Sequence, residues 1–192
     1  MKLPETTFPV LWLYGLSGAG KTTMAKGLQL HFRNAGIPVV ILDGDELREG
    51  LNKSLGFTQE DRRENIRRTA EIASVLSKQG IFVITALITP LEEHRQLARE
   101  IIGAERLLDV FVDCPFDVCE YRDVKGLYAK ARKKEISSFT GIGSSFDTPA
   151  DPFLHLTTHE HTREECLQTL IQVVTPLLNT PTVFTNAQLL QA

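Results

Sequence analysis

Cysteine is scarce in this chain of 192 residues, with Cys114, Cys119 and Cys166 the only three. Any disulfide scheme would leave one of them unpaired, and no Cys-x-x-Cys or histidine cluster has the spacing of a metal site. Buried free thiols in a reducing compartment are the expected state. Long apolar runs are missing too, and none approaches the roughly 20 residues of a membrane span. The first residues, Met1-Lys2-Leu3-Pro4-Glu5, lack the charged-then-apolar layout of a secretory signal. A cytoplasmic location is therefore expected, with no membrane partner. Positive charge is not in excess either: the formal net charge is −3. Without a broad basic field, nucleic acid is not expected as a partner. No internal repeat, low-complexity tract or linker divides the chain. The expectation is one domain over residues 1–192, with residues 1–8 an N-terminal extension and residues 179–192 a loose tail.

What the chain does have is regular alternation. Apolar runs at residues 10–14, 39–42, 81–88, 107–112 and 153–156 read as strands. Between them, apolar residues recur at helical spacing: Met24, Leu28 and Phe32, then Ile66, Ala70 and Ala73, then Leu167, Leu170, Ile171 and Val174. Thr58 with Asp61, and Thr162 with Glu165, carry the spacing of helix N-caps. Strands that are apolar throughout must be covered on both faces. The fold class is therefore α/β, a three-layer α/β/α sandwich with a mainly parallel sheet. Ligands in such sheets bind outside the carboxyl ends of the strands.

The end of the first strand carries Gly15, Leu16, Ser17, Gly18, Ala19, Gly20, Lys21, Thr22 and Thr23. These fit a phosphate loop, in which Gly, four residues and Gly-Lys-[Ser/Thr] sit between a strand and a helix. The glycines let backbone N–H groups converge on an anion. The helix that follows turns its positive end to the same phosphates. Lys21 is placed to bridge the β- and γ-phosphates of ATP, and the Thr22 hydroxyl to sit on Mg²⁺.

Four further stretches face the question of what receives the phosphate. Asp43-Gly44-Asp45 ends the second strand, and its carboxylates suit metal handling and orientation of a hydroxyl, although an Asp-Gly turn would read the same way. Residues 61–68 hold four arginines near a helix start, where the dipole favours acids. They form either a solvated face or an anion-reading cluster. Residues 117–132 are basic, with Arg122, Lys125 and Arg132 among them, and could close over phosphates. Residues 139–149 alternate turn formers with Phe139 and Phe146, a pattern able to hold a planar ring.

Together these stretches resemble adenylyl-sulfate (APS) kinases. Asp-Gly-Asp at residues 43–45, Glu-Asn-Ile-Arg-Arg at 64–68, Lys-Gly-Leu-Tyr at 125–128 and Phe-Thr-Gly-Ile at 139–142 stand in that family's order and spacing. The resemblance implies a P-loop kinase fold, usually assembled as a homodimer. It implies transfer of the γ-phosphate of ATP to the 3′-hydroxyl of APS, with Mg²⁺, giving PAPS and ADP, and coupling to an ATP sulfurylase as a partner. Carried over by residue, it implies that Lys21, Asp43 and Asp45 are catalytic, with Thr22 and Asp43 at the metal. Residues 15–23 with Arg122, Lys125 and Arg132 become the ATP contacts. Asp45, Arg48, Phe57, Arg62, Asn65, Ile88, Thr89, Lys125, Gly126, Leu127 and Phe139 become the APS contacts.

The chain departs from the family pattern at several points. Glu46 stands where Asn is frequent, Ser54 where Asp is frequent, and Glu92 where a Lys or Arg is usual. Thr89 replaces a serine proposed to be phosphorylated in some members. Extra acid beside the pocket would discourage a dianionic acceptor, so a kinase of the same fold acting on another nucleotide-linked hydroxyl or amidate stays open. Glu92 is expected to stay out of that pocket, because an acid at a helix start is favoured by the dipole. A regulatory protein that merely binds nucleotide would need neither the acidic pair nor the acceptor arginines.

Overall fold

The computed structural model describes residues 7–136 and 138–179. Every residue of β1 (Val10–Tyr14) is buried, as its unbroken apolar run requires. This strand lies at the centre of a five-stranded sheet. It pairs with β3 (Phe82–Leu87) on one side and β4 (Leu107–Asp113) on the other. Outside them lie β2 (Val39–Asp43) and β5 (Leu154–Thr157), and every pairing is parallel.

The period of two along β1 divides the core into two layers. Leu11 and Leu13 pack with α1 (Lys21–Asn34) and α7 (Arg163–Asn179) through Leu28, Phe32, Cys166 and Leu170. Val10, Trp12 and Tyr14 pack on the opposite face with α3 (Gln59–Lys78) and α4 (Glu92–Ile102). The three-layer sandwich expected from the alternation is the one observed. Both cap signals hold: the Thr58 hydroxyl accepts from Asp61 N at 3.1 Å, and Thr162 and Glu165 bond reciprocally. All three cysteines are free and buried.

Three details differ from expectation. The sequence following Asp43 is not a bare turn but α2 (Gly44–Glu49), a six-residue helix capped by Asp43 itself. The helix expected from Phe116 is present as α5 (Phe116–Arg122), but the basic segment after it forms a second helix, α6 (Leu127–Arg132). Between them the backbone turns left-handed at Asp123 and Gly126, and the Asp123 carboxylate accepts from Tyr128 N and Ala129 N at 3.0 Å. The expected extension is also shorter at its inner end. Thr7 and Phe8 are buried, and the Phe8 carbonyl accepts from the Ser77 hydroxyl. The rest of that extension, and the loose tail beyond Asn179, lie outside the described residues. No helix among the described residues is long and apolar enough to cross a membrane.

Candidate active site

The chain leaves β1 at Gly15 in a conformation open only to glycine. Its φ is 148°, and a Cβ there would stand 2.2 Å from the Val112 carbonyl oxygen. The loop that follows delivers the chain to α1 through Gly20, also left-handed. No side chain caps α1 and no acid occupies its first turn. Its leading N–H groups and positive dipole end are left to an incoming anion. Lys21 folds back over the loop, donating to the carbonyls of Gly15 at 2.9 Å and Leu16 at 2.6 Å. Burial pushes its ammonium down to about 8, and the Lys125 cation adds to the shift.

Asp43 is the hinge between this loop and β2. One carboxylate oxygen accepts from the Thr22 hydroxyl at 2.7 Å, and the other accepts from Asp45 N at 2.9 Å. Both bonds follow from the fold: β2 ends level with the loop, and the cap of α2 turns the second bond inward. A hydroxyl and a carboxylate in contact are hard oxygen donors. They suit Mg²⁺, which takes one or two protein ligands and completes its shell with phosphate and water. Among the described residues no cluster of three or more His, Cys, Asp or Glu could hold a metal ion. Asp45 itself points outward and forms an ion pair with Lys125 from the segment before α6.

The acceptor side is built from α2, α3 and the segment between them. Arg48 donates to the carbonyls of Leu55 and Gly56, both at 3.0 Å, and lies 4.3 Å from the centre of the Phe57 ring. Arg62 donates to the Phe57 carbonyl at 3.1 Å and to the Thr140 hydroxyl at 3.0 Å. Burial lowers the pKa of both guanidinium groups, and for Arg62 the repulsion of Arg48 adds to it. Two like charges held this way favour an anion between them. The expectation for the arginine cluster thus divides by residue. Arg67 and Arg68 are off the cavity wall: both pair with Glu64, at 2.7 and 2.8 Å, and Arg68 also donates to the Leu51 carbonyl at 3.1 Å.

One cavity of about 450 Å³ joins the two halves. Ser17, Gly18, Gly20, Lys21, Thr22 and Thr23 line it at one end, with Asp43 and Asp45 beside them. Arg48, Phe57, Arg62, Asn65 and Phe139 line the other, over a floor that includes Ile88 and Thr89. Lys125 and Leu127 close the mouth. Gly15, Leu16, Ala19 and Gly126 are not on its wall. Gly15 and Leu16 act through the carbonyls that hold Lys21. Arg122 and Arg132 also stand apart. Arg122 donates to the Thr158 carbonyl at 3.1 Å, and Arg132 bonds Glu120 at 2.6 Å. Reaching a phosphate requires each to give up those bonds.

Phe139 lines the cavity as its loop pattern suggests, edge-on to Tyr128 at 4.8 Å. Phe146 does not: it is half-buried and stacks on Phe111 at 5.8 Å, against the margin of the core. Glu46 and Ser54 are exposed and off the cavity wall. Glu92 is off it as well, bonded to Arg95 at 2.8 Å. The acids that kept another acceptor open therefore lie outside the pocket. Tyr128 escaped the residue-by-residue reading, although its hydroxyl donates to the Ser17 carbonyl at 2.9 Å and ties α6 to the phosphate loop. Its signal in the sequence was Asp123, a cap five residues ahead.

Residues 8–157 match the adenylylsulphate kinase family model. A probable adenylyl-sulfate kinase of Bacillus subtilis is 48% identical over 165 residues, which covers 86% of this chain and 84% of the relative. An adenylyl-sulfate kinase of Paraburkholderia xenovorans is 54% identical over 140 residues, 73% of this chain and 78% of its own length. The solved APS kinase of Mycobacterium tuberculosis, in complex with AMPPNP and APS, matches at a TM-score of 0.84 and 42% identity. That match covers 88% of this chain and 99% of the other.

Proposed function

This chain belongs to the adenylylsulphate kinase family, and from that premise we propose that it transfers the γ-phosphate of ATP to the 3′-hydroxyl of APS, giving PAPS and ADP. The observation that carries the reading is the continuity of the cavity. A phosphate loop with a buried lysine opens directly onto two arginines set about an aromatic ring, with Asp45 between.

In this reading the phosphates of ATP take the N–H groups at the start of α1, and Lys21 exchanges its carbonyl partners for the β- and γ-phosphates. Thr22 and Asp43 would hold Mg²⁺, which supplies positive charge to the phosphates in transit. Arg48, Arg62 and Asn65 take the sulfate and phosphate of APS, and its adenine lies between Phe57 and Phe139. Ile88, Thr89 and Leu127 complete that site, and Gly126 serves it through the left-handed turn that sets Leu127 on the wall. Asp45 removes the proton of the 3′-hydroxyl as its oxygen bonds to the γ-phosphorus, and the bond to the bridging oxygen breaks to release ADP. Lys125 leaves Asp45 for the phosphates as its segment closes, with Arg122 and Arg132 behind it. A homodimer, a cytoplasmic location and supply of APS by an ATP sulfurylase complete the proposal, supported by the family and by the three reduced thiols.

The test is ADP release from Mg-ATP with APS against a panel of other nucleotides and of hydroxyl and amidate acceptors. APS should be preferred by at least tenfold in kcat/KM. Equal or better turnover of another acceptor would move the assignment to a different kinase of this fold.

The buried lysine adds a pH dependence. A protonated Lys21 is needed to hold phosphate, and it is protonated in the free protein only below about 8. Bound phosphates raise that value, so ATP binding takes up a proton at higher pH. The Kd for ATP should therefore rise roughly tenfold per pH unit above about 8. Calorimetric titration between pH 7.5 and 9.5 checks this, and a flat Kd would sink it.

A further inference from the structure

The floor of the cavity after β3 is a turn held in an unusual conformation. Thr89 has a φ of 43°, the left-handed region that a β-branched residue rarely enters. Its side chain is buried, and its hydroxyl accepts from Trp12 Nε1 at 3.0 Å. From α4, Arg95 reaches the same turn. It is 2% exposed, and its Nη1 lies within hydrogen-bond range of the carbonyls of Thr89 at 3.3 Å and Pro90 at 3.4 Å. The guanidinium lies 5.2 Å from the centre of the Tyr14 ring and 6.0 Å from that of Phe146.

The Pro90 carbonyl also accepts from Asp147 N at 2.8 Å, and the Asp147 carboxylate accepts from Glu92 N at 3.0 Å. Floor and wall therefore meet at one point, because residues 139–147 are the loop that carries Phe139 and the Thr140 partner of Arg62. A planar, multi-donor cation can join two carbonyls and two ring faces at once; a point charge on a flexible stem cannot.

We propose that Arg95 is a positioning residue for the acceptor. It holds the strained Thr89–Pro90 turn against the loop of residues 139–147, and so fixes the spacing between the floor and the aromatic wall of the acceptor pocket. This rests on the function proposed above. Arg95 touches neither substrate. It acts through Thr89 and Pro90, which line the cavity. Removing it lets the turn relax out of the left-handed region, and the acceptor loses its floor while the phosphate loop keeps its own bonds.

Steady-state kinetics of Arg95→Met, Arg95→Lys and Trp12→Phe test this with both substrates varied. Arg95→Met should raise KM for APS by tenfold or more, with KM for ATP within about twofold of wild type. Arg95→Lys keeps the charge beside Glu92 but not the double carbonyl contact, and should recover only part of that loss. Trp12→Phe loosens the same turn from the other face and should shift KM for APS in the same direction; it also serves if Arg95→Met does not fold. A loss of thermal stability with no split between the two KM values would overturn the role. So would full recovery in Arg95→Lys, which would reduce Arg95 to a charge. Wild-type protein that does not use APS would refute the function itself, an outcome separate from either.

Discussion

Lys21→Ala should lower kcat by about 10³-fold or more while leaving a folded protein. Removing one preorganised donor from a site of developing charge typically costs 10²–10³-fold. Lys21 carries a full charge, and the bond that breaks lies between the two phosphates it would bridge. Its burial argues for function over stability: a cation pushed down to about 8 is costly for the fold to keep. Alanine relieves that cost, although it leaves the carbonyls of Gly15 and Leu16 without their donor. The melting temperature should therefore move by only a few degrees. ATP should still bind, more weakly, through the N–H groups at the start of α1. A folded Lys21→Ala protein with near wild-type turnover would refute the phosphate-loop assignment.

Asp45→Asn carries the next largest effect. The structure gives the two aspartates different surroundings. Asp43 has both carboxylate oxygens engaged, by Thr22 and by Asp45 N. Asp45 has an ion pair with Lys125 at the open mouth of the cavity, and its side chain is about 60% exposed. Asp43 is thus committed and Asp45 is free to meet an acceptor. Asparagine keeps the shape but cannot take a proton, and loss of a general base commonly costs 10²–10⁴-fold. We expect kcat to fall by about 10²-fold or more, with the Kd for ATP changed less than threefold. If ATP affinity collapses instead, Asp45 belongs with the metal and the two residues exchange roles.

The residues that could be read from the sequence are those whose surroundings are set by neighbours along the chain. The strands announced themselves because a sheet covered on both faces demands unbroken apolar runs, and the phosphate loop because its glycines answer to local backbone geometry. Arg62 and Arg67 show where this ends. Both sit in one basic stretch. Five residues apart on α3, they point about 140° away from each other. The path of the loop at residue 140 decides that it is Arg62 that finds a partner across the cavity. Arg95 is plainer still. With Glu92 three residues before it, it looks like half of a surface ion pair, yet the packing of α4 buries it against Tyr14. Helix α2 was missed because six residues are too few to establish a period, and Asp43 reads equally well as a turn former and as a cap. The partners Ser138 and Thr140 belong to a loop whose path is fixed by tertiary contacts alone.

The central place of β1 has a consequence for how such a protein can change over time. Because β1 is flanked by a strand on each side, the root of the loop it carries is anchored in the middle of the sheet. The grip on the donor is as durable as the fold. The acceptor half hangs on the short helix α2, the first turns of α3, a turn and a loop, whose cavity-facing side chains lie outside those ladders. Lineages descending from such an ancestor could exchange one acceptor for another by small steps, each intermediate still a stable ATP-binding protein. Novelty is cheap on one side of the cavity and nearly forbidden on the other.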